Sequence, residues 1–173
     1  HDLNQELYLW ALKCLGVGNH QNATVSGEQR FLERHLASCD GPQPVILDVG
    51  ANVGAYAMLA LSIRPDARVF AFEPGPEAFK KLRSAGIASG FAALPFACSD
   101  RVGEQVLYDY ADAPGSEHAS FYKAQFEETL NSRAMGTPVT CVTVDSFLQS
   151  QNIDQVDLLK IDVEGHEMAV LRG

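Results

Sequence analysis

The stretch VILDVGANVG at residues 45–54 decides the fold. Its first five residues form a short apolar run with β-branched side chains, which is typical of a buried strand in a parallel sheet. Two glycines, Gly50 and Gly54, then bracket a tight turn, and residues 55–63 have the composition of a helix. A strand, glycine turn and helix in this order bring the helix N-terminus to the carboxyl end of the strand, where α/β sheets bind ligands.

The rest of the chain continues this alternation of strands and helices. A helical preface is predicted over residues 1–44, and a sheet domain over residues 45–173. Strand and helix alternation indicates an α/β fold with a mostly parallel sheet covered on both faces. The predicted strands are 45–49, 68–72, 92–98, 105–110, 139–144 and 156–161, and the predicted helices are 4–17, 28–38, 55–63, 77–88, 146–151 and 165–172. Strands 105–110 and 139–144 are expected to pair antiparallel across a polar loop at 111–137.

Composition and charge exclude several classes of protein. The chain has 173 residues, which suffices for one domain with a real core. It carries 13 lysines and arginines against 22 aspartates and glutamates, a balance that argues against binding along a nucleic-acid backbone. No apolar run approaches the roughly 20 residues of a membrane span.

The four cysteines show no metal-binding spacing. Cys14, Cys39, Cys98 and Cys141 form no CxxC pair, so no zinc site is expected. A chain of this length needs no disulfides, and four free thiols indicate a reducing compartment, hence a cytoplasmic location.

Acidic residues stand where two of the predicted strands end. Asp48 would repel a pyrophosphate, so an acidic strand tip beside a glycine turn suits a ligand with positive charge. The GxxxG spacing also differs from the GxGxxG of dinucleotide-binding folds. Glu73 follows Gly54 by 19 residues, which is about where an acidic residue binds ribose hydroxyls in this fold class.

Two further strand ends carry polar residues. Ser99 and Asp100 could contact an adenine edge, or they could form a turn before Gly103. The end of the last strand, residues 160–167, reads KIDVEGHE and places three carboxylates and a histidine within a few residues.

These residues carry a family resemblance. The matching pieces are DVGANVG at 48–54, FAFEP at 70–74, SD at 99–100, VTVDSFL at 142–148 and LLKIDVEGHEMAVLRG at 158–173. Together they resemble the FkbM family of S-adenosylmethionine-dependent methyltransferases. The resemblance implies a Rossmann-like class I methyltransferase fold, a three-layer αβα sandwich.

The resemblance also implies an activity and a set of ligand contacts. The expected reaction is methyl transfer from S-adenosyl-L-methionine to a hydroxyl of a small-molecule, sugar or lipid-like acceptor. The residues expected to surround the cofactor's methionine part are Gly50, Ala51, Asn52 and Gly54, and Asp48 is expected to bind the cofactor as well. Glu73 would hold the ribose hydroxyls, Ser99 and Asp100 would lie near the adenine, and Asp162 and Glu164 would lie by cofactor and acceptor.

A hydroxyl acceptor must lose a proton, and a positioned base assists this step. Asp162 and Glu164 are the expected catalytic residues, although Asp162 could instead bind the cofactor's amino group. Glu164 and Glu167 also suit a helix N-terminus electrostatically. His166 has a suitable unperturbed pKa but is expected to face solvent at the start of a helix. No metal is expected.

The fold implied by the resemblance has seven strands in the order 3-2-1-4-5-7-6, and only the first four can be placed. The chain is therefore expected to be C-terminally truncated, with an exposed edge at the fourth strand. Such an edge pairs readily unless another segment or chain covers it, so a homo-oligomer is possible. The alternative functions are a non-catalytic methyltransferase-like binding module and a nucleotide-dependent oxidoreductase.

Overall fold

A computed structural model describes Tyr8 and residues 27–110, 119–122 and 134–173. The chain divides into two compact units, His1–Asp40 and Gly41–Gly173. The first contains helix α1 (Glu28–Ser38), as predicted, with Leu32 and Leu36 fully buried. The predicted helix at 4–17, apart from Tyr8, lies outside the described residues. The domain boundary between residues 44 and 45 stays a prediction.

The second unit alternates strands and helices. Its elements are β1 (Val45–Val49), α2 (Ala55–Ile63), β2 (Arg68–Phe72), α3 (Pro76–Ser89), β3 (Ala92–Leu94), β4 (Ala97–Cys98), β5 (Gly103–Tyr110), β6 (Ala134–Val142), α4 (Val144–Ser150), β7 (Leu158–Ile161) and α5 (Glu167–Val170). None of the helices described is long and apolar enough to cross a membrane.

The main sheet is parallel and has the order β3-β2-β1-β7. This is the order expected for the first four strands, and it confirms the α/β fold with a mostly parallel sheet. The register places Asp48 of β1 between Ala71 of β2 and Lys160 of β7. The carboxyl ends of these three strands therefore lie side by side. In the described part of the chain β7 pairs with β1 alone, so it forms one edge of this sheet.

β1 is buried along its whole length because helices cover both faces of the sheet. Val45, Leu47 and Val49 pack in one cluster with Phe147 of α4. The Phe147 ring meets the ring of Phe72 edge-on, with centroids 4.8 Å apart. Asp48 points to the opposite face, towards the first turn of α2. A strand buried on both faces explains the nearly continuous apolar run in the sequence.

The predicted strand at 92–98 is wrong as a single element. Residues 92–94 pair with β2 in the main sheet, whereas Ala97 and Cys98 pair with β6 in a second sheet of order β4-β6-β5. Pro95 lies between the two pieces, and proline cannot donate a ladder hydrogen bond. The chain therefore leaves one sheet and enters the other at this point.

The antiparallel pairing of the two alternating strands is confirmed, with longer strands than predicted. β5 begins at Gly103, and β6 begins at Ala134, inside the stretch assigned to the loop. β6 also ends earlier, because Thr143 caps α4 by accepting a hydrogen bond from the N–H of Ser146 at 3.0 Å. Val144 thus opens a helix instead of closing a strand. The last helix, α5, is shorter than the predicted 165–172.

The cysteines described are all free thiols. Cys39 is partly exposed, and Cys98 and Cys141 are buried. Burial, together with the nearby Cys141, raises the pKa of Cys98 to about 12. Cys14 lies outside the described residues. A thiol with so high a pKa is unreactive at neutral pH, because the thiolate is the nucleophile.

Candidate functional site

The turn after β1 packs directly against the end of β7. Gly50 has a φ of 76°, and a Cβ at this position would overlap the carbonyl oxygen of Asp162. Gly54 has a φ of 88°, and a Cβ there would lie 2.9 Å from the side chains of both Leu82 and Phe91. Both positions therefore require glycine for the backbone conformation and for the close approach.

The amides of this turn are satisfied inside the protein. The N–H groups of Gly50 and Ala51 both donate to the carbonyl of Phe72, at 3.1 and 2.9 Å. Asn52, which adopts a φ of 48°, donates its N–H to Glu73 Oε2 at 2.9 Å. The three residues thus form a rigid wall, and these amides are not available as donors to a ligand.

Glu73 is held from both sides by backbone. Its Oε1 accepts the N–H of Gly75 at 2.7 Å, and its Oε2 accepts the N–H of Asn52. Burial raises the pKa of Glu73, and these two hydrogen bonds and Lys160 partly oppose the rise. Each carboxylate oxygen has two lone pairs. The second lone pairs suit a neighbouring pair of hydroxyl donors, such as those of a ribose.

Asp48 is fully buried at the strand tip. Its Oδ1 lies 3.2 Å from Lys160 Nζ. The backbone N–H of Ala57 also approaches the carboxylate, but the geometry of these contacts leaves acceptor capacity on both oxygens unused among the described residues. Burial raises the pKa of Asp48, while Lys160 and the Ala57 N–H act to lower it. A buried carboxylate with unused acceptor capacity is unusual in a folded protein. It suits a cationic or hydrogen-bond-donating ligand.

Lys160 is a residue of the site that the sequence reasoning missed. Its Nζ donates to the carbonyl of Gly50 at 2.9 Å and lies 3.7 Å from Asp162 Oδ2. It also sits 5.8 Å from the centre of the Tyr56 ring. The available signal was a single lysine in the apolar strand LLKI, two residues before a strand-end acid. Lys160 connects β7 to the glycine turn and provides the counter-ion of Asp48.

The two expected catalytic carboxylates lie beside this turn. The Asp162 side chain is 69% exposed, and its N–H donates to the carbonyl of Val49 at 3.0 Å. Glu164 is partly exposed and has a φ of 50°, a conformation that non-glycine residues adopt rarely. The tight turn keeps both carboxylates at the edge formed by β1 and β7. Their catalytic roles remain predictions.

Ser99 and Asp100 follow β4, in the second sheet. The Ser99 hydroxyl is fully buried, accepts a hydrogen bond from Gln105 Nε2 at 3.0 Å and lies 3.3 Å from Asp100 Oδ1. Its third neighbour is His166 Nε2, at 2.9 Å. The hydroxyl is therefore engaged inside the protein, and Asp100, which is partly exposed, is the better placed of the two for a ligand. The adenine contacts remain predictions.

The expectation that His166 faces solvent is wrong. The residue is 9% exposed, and desolvation lowers its pKa, although Asp100 and Glu167 act to raise it. Its ring is buried because Ser99 and the segment Ala119–Tyr122 close over it. Glu167, in contrast, serves the turn: its Oε1 accepts the N–H groups of Val163 and Gly165. Partial burial acts to raise the pKa of Glu167, but backbone donors lower it overall.

A short segment of the predicted loop, Ala119–Tyr122, lies over the turn after β7, and we call it the strap. Ser120 exchanges two backbone hydrogen bonds with Tyr108, and its Oγ donates to the carbonyl of Glu164 at 3.0 Å. The Phe121 ring packs on His166 with centroids 4.7 Å apart. Tyr122 is 52% exposed beside Gly165. Phe126, the third aromatic residue of this loop, lies outside the described residues.

The arrangement fits the cofactor that the sequence motifs imply. A glycine wall, a fixed carboxylate with free lone pairs and a buried acidic strand tip match a ligand with a ribose and a positive charge. Among the described residues no group of three or more histidine, cysteine or acidic side chains could hold a metal ion.

Comparisons with known proteins identify a matching family and several relatives. The profile of the Methyltransferase FkbM domain matches residues 48–173. The 2-O-methyltransferase NoeI of Sinorhizobium fredii is 31% identical over 76% of this chain and 58% of its own length. The 31-O-demethyl-FK506 methyltransferase FkbM of Streptomyces tacrolimicus is 30% identical over 89% of this chain and 70% of its own. A crystal structure of methyltransferase FkbM from Methylobacillus flagellatus aligns with 87% of this chain and 37% of its own, with a TM-score of 0.48 and 13% identity.

Proposed function

The chain belongs to the FkbM methyltransferase family, and we propose that it is an S-adenosyl-L-methionine-dependent O-methyltransferase acting on a hydroxyl of a small-molecule acceptor. The chain spans 58% of the length of NoeI, so the activity of the whole protein belongs to this proposal. The observation that carries it is Glu73, a buried carboxylate fixed by two backbone amides beside the glycine turn.

Different residues of the cleft contact different parts of the ligand. Glu73 accepts the ribose hydroxyls through the lone pairs that Asn52 and Gly75 leave free. Asp48 and Asp162 provide negative charge around the methionine part, and Lys160 holds the turn in place. The fit is electrostatic as well as steric, because a positively charged ligand relieves the buried charge of Asp48.

The chemistry then needs little from the protein. The bound cofactor supplies a methyl group that is already activated for transfer. Asp162 and Glu164 lie at the open edge, where either carboxylate accepts the proton of an acceptor hydroxyl, a contribution of about 10²–10⁴-fold. The closed wall of Gly50, Ala51 and Asn52 excludes water from one side of the cleft and orients the reacting groups.

The names of the relatives support an oxygen acceptor. One is a 2-O-methyltransferase and another methylates a 31-O-demethyl compound. Both names specify methylation at oxygen. A sugar or natural-product hydroxyl is therefore the acceptor class that we propose. A homo-oligomer and a cytoplasmic location stay predictions.

Calorimetric titration with S-adenosylhomocysteine, the demethylated cofactor, tests the proposal. We expect micromolar or tighter binding by the wild-type protein, loss of binding in Glu73→Ala, and unchanged binding in Glu77→Ala, whose glutamate pairs with Lys80 on the surface. Absence of binding in the wild type contradicts the proposal, and binding of a nicotinamide dinucleotide instead would favour the oxidoreductase. Radiolabelled methyl transfer to a panel of sugars and polyketide alcohols then separates an enzyme from a binding module.

A further inference from the structure

His166 joins three parts of the fold that are distant in sequence. Its Nε2 lies 2.9 Å from the hydroxyl of Ser99, at the end of β4. Its ring packs under Phe121 of the strap, and its backbone N–H closes the turn after β7 by donating to Val163 at 3.3 Å. One residue thus connects the second sheet and the strap, through its side chain, with the turn that carries the proposed catalytic carboxylates, through its backbone.

The strap is attached to the second sheet through both its backbone and its side chains. Ser120 pairs with Tyr108 through two backbone hydrogen bonds, of 2.8 and 2.9 Å, and its hydroxyl reaches the carbonyl of Glu164. The Tyr122 N–H also donates to Ser120 Oγ at 3.3 Å, and Phe121 packs on one side against the buried cluster of the second sheet. On the other side the rings of Phe121 and Tyr122 meet His166, with centroids 4.7 and 6.3 Å away. The imidazole is therefore the surface that meets both aromatic rings of the strap on the side of the turn after β7.

The hydrogen bond to Ser99 fixes the imidazole in turn. Gln105 donates to the same hydroxyl at 3.0 Å, so Ser99 keeps one partner when the histidine is removed. His166 Nδ1 is buried without a hydrogen-bond partner among the described residues. The neutral ring tolerates this position, since a charged ring would bury an uncompensated N–H donor. Asp100 and Glu167 are the ionisable groups that face it.

We propose that His166 is a positioning residue, which orients the strap over the turn bearing Asp162 and Glu164 and so places Tyr122 at the acceptor side of the cleft. The catalytic part of this inference rests on the proposed function, whereas its structural part does not. Tyr122 is half exposed beside Gly165, and the same turn carries the carboxylates of Asp162 and Glu164. This combination suits a polyhydroxylated acceptor, because the ring packs on its apolar face and the carboxylates accept its hydroxyls.

Two substitutions separate the two contacts of His166. His166→Phe keeps an aromatic ring under Phe121 and removes the hydrogen bond to Ser99. His166→Gln brings an amide to the level of Nε2 and keeps the hydrogen bond while it removes the ring. His35→Phe is the matched control, because His35 lies on α1 in the other unit.

Amide hydrogen exchange at Ser120 is the structural readout. Loss of a buried hydrogen bond is expected to accelerate this exchange about 3- to 10-fold in His166→Phe, and His166→Gln, which lacks the ring, should accelerate it at least as much. Exchange at Ile46 and Leu47 in β1 should stay unchanged in both variants. Unchanged exchange at Ser120 overturns the proposal, and so does equal acceleration at Ser120 and in β1, which would indicate a global loss of stability.

Steady-state kinetics provide the second readout once an acceptor is known. His166→Phe should raise KM for the acceptor several-fold, while the Kd for S-adenosylhomocysteine changes less than about twofold, because Gln105 still holds Ser99. Equal changes in KM and Kd would reject a role specific to the strap. If the wild type binds no S-adenosylhomocysteine, the proposed function fails, and the exchange result decides the structural role alone.

Discussion

Replacing Lys160 with methionine should leave Asp48 as a buried charge without its counter-ion. In the wild type the ammonium lies 3.2 Å from Oδ1 of a fully buried carboxylate and also bonds the carbonyl of Gly50. Removing one partner of a buried pair costs about 3–5 kcal/mol. The Lys160 side chain is 19% exposed, so water screens part of the interaction. We therefore expect a loss near the lower end, about 3 kcal/mol of unfolding free energy.

The pH dependence identifies the cause of this loss. Burial raises the pKa of Asp48, and Lys160 opposes that rise, so the substitution should raise this pKa further. When the folded-state pKa of a carboxyl exceeds its unfolded-state value, near 3.9, the protein loses unfolding free energy as the pH rises from the unfolded-state pKa through the folded-state pKa. The loss of unfolding free energy in Lys160→Met should therefore be small near pH 4 and reach its full value at neutral pH.

Urea unfolding followed by circular dichroism measures both effects. Lys80→Met is the matched control, because Lys80 pairs with Glu77 on the surface at 2.6 Å, and such pairs contribute about 0–1 kcal/mol. The double variant Asp48→Asn/Lys160→Met should recover part of the loss. A loss below about 1 kcal/mol, or an equal loss at pH 4 and pH 7, would refute a buried charge pair as the cause.

Three further substitutions test the site and its supports. In Glu73→Gln one backbone N–H faces the NH₂ group of the new side chain and loses its acceptor. The variant should lose about 1–3 kcal/mol of unfolding free energy in urea, whereas the unfolding free energy of Glu77→Gln should stay unchanged. Equal values for the two variants would contradict the contacts described. Gly54→Ala should destabilise by about 1–3 kcal/mol more than Gly90→Ala, since both have φ near 88° but only Gly54 lacks room for a Cβ; equal losses would show that the backbone conformation alone matters. The unfolding free energy of the wild type should exceed that of His166→Phe by less and less as the pH falls from about 6.5 through the lowered folded-state pKa of His166. The reason is that the buried ring is neutral only above this pKa. A difference between the two proteins that is constant with pH would count against the burial of a neutral His166 ring.

The central strands of the main sheet could be predicted because they consist largely of apolar, β-branched and aromatic residues bounded by turn residues. The runs at 45–49 and 68–72 have the observed bounds; β1 is buried along its whole length, and β2 is buried at three of its five residues. The second sheet was harder to predict. The residues around Pro95 are apolar on both sides, and only the pairing with β6 shows that they belong to two sheets. Pairing partners distant in sequence leave no local pattern.

The same distinction between local and distant partners applies to the site. The glycine turn and Glu73 could be located because a backbone requirement and a strand end are local properties. The burial of His166 depends on the strap, which is more than 40 residues away in the chain, so the local pattern of a helix start was misleading. Lys160 was missed for a related reason, since its partner Asp48 becomes its neighbour only through the register of β1 and β7.

The charges of the cleft favour the cationic ligand that we propose. Burial raises the pKa of both Asp48 and Glu73, Lys160 acts to lower both, and the charge of Asp48 adds to the rise at Glu73. Asp162 draws on the same ammonium, at 3.7 Å. One lysine is therefore the shared counter-ion of three carboxylates, and a positively charged ligand would neutralise part of the remaining negative charge. S-adenosylmethionine carries a positive charge on its sulfur, and the sulfur loses this charge when the methyl group is transferred. The cleft should therefore bind the methylated cofactor more tightly than the demethylated product, which favours release of the product.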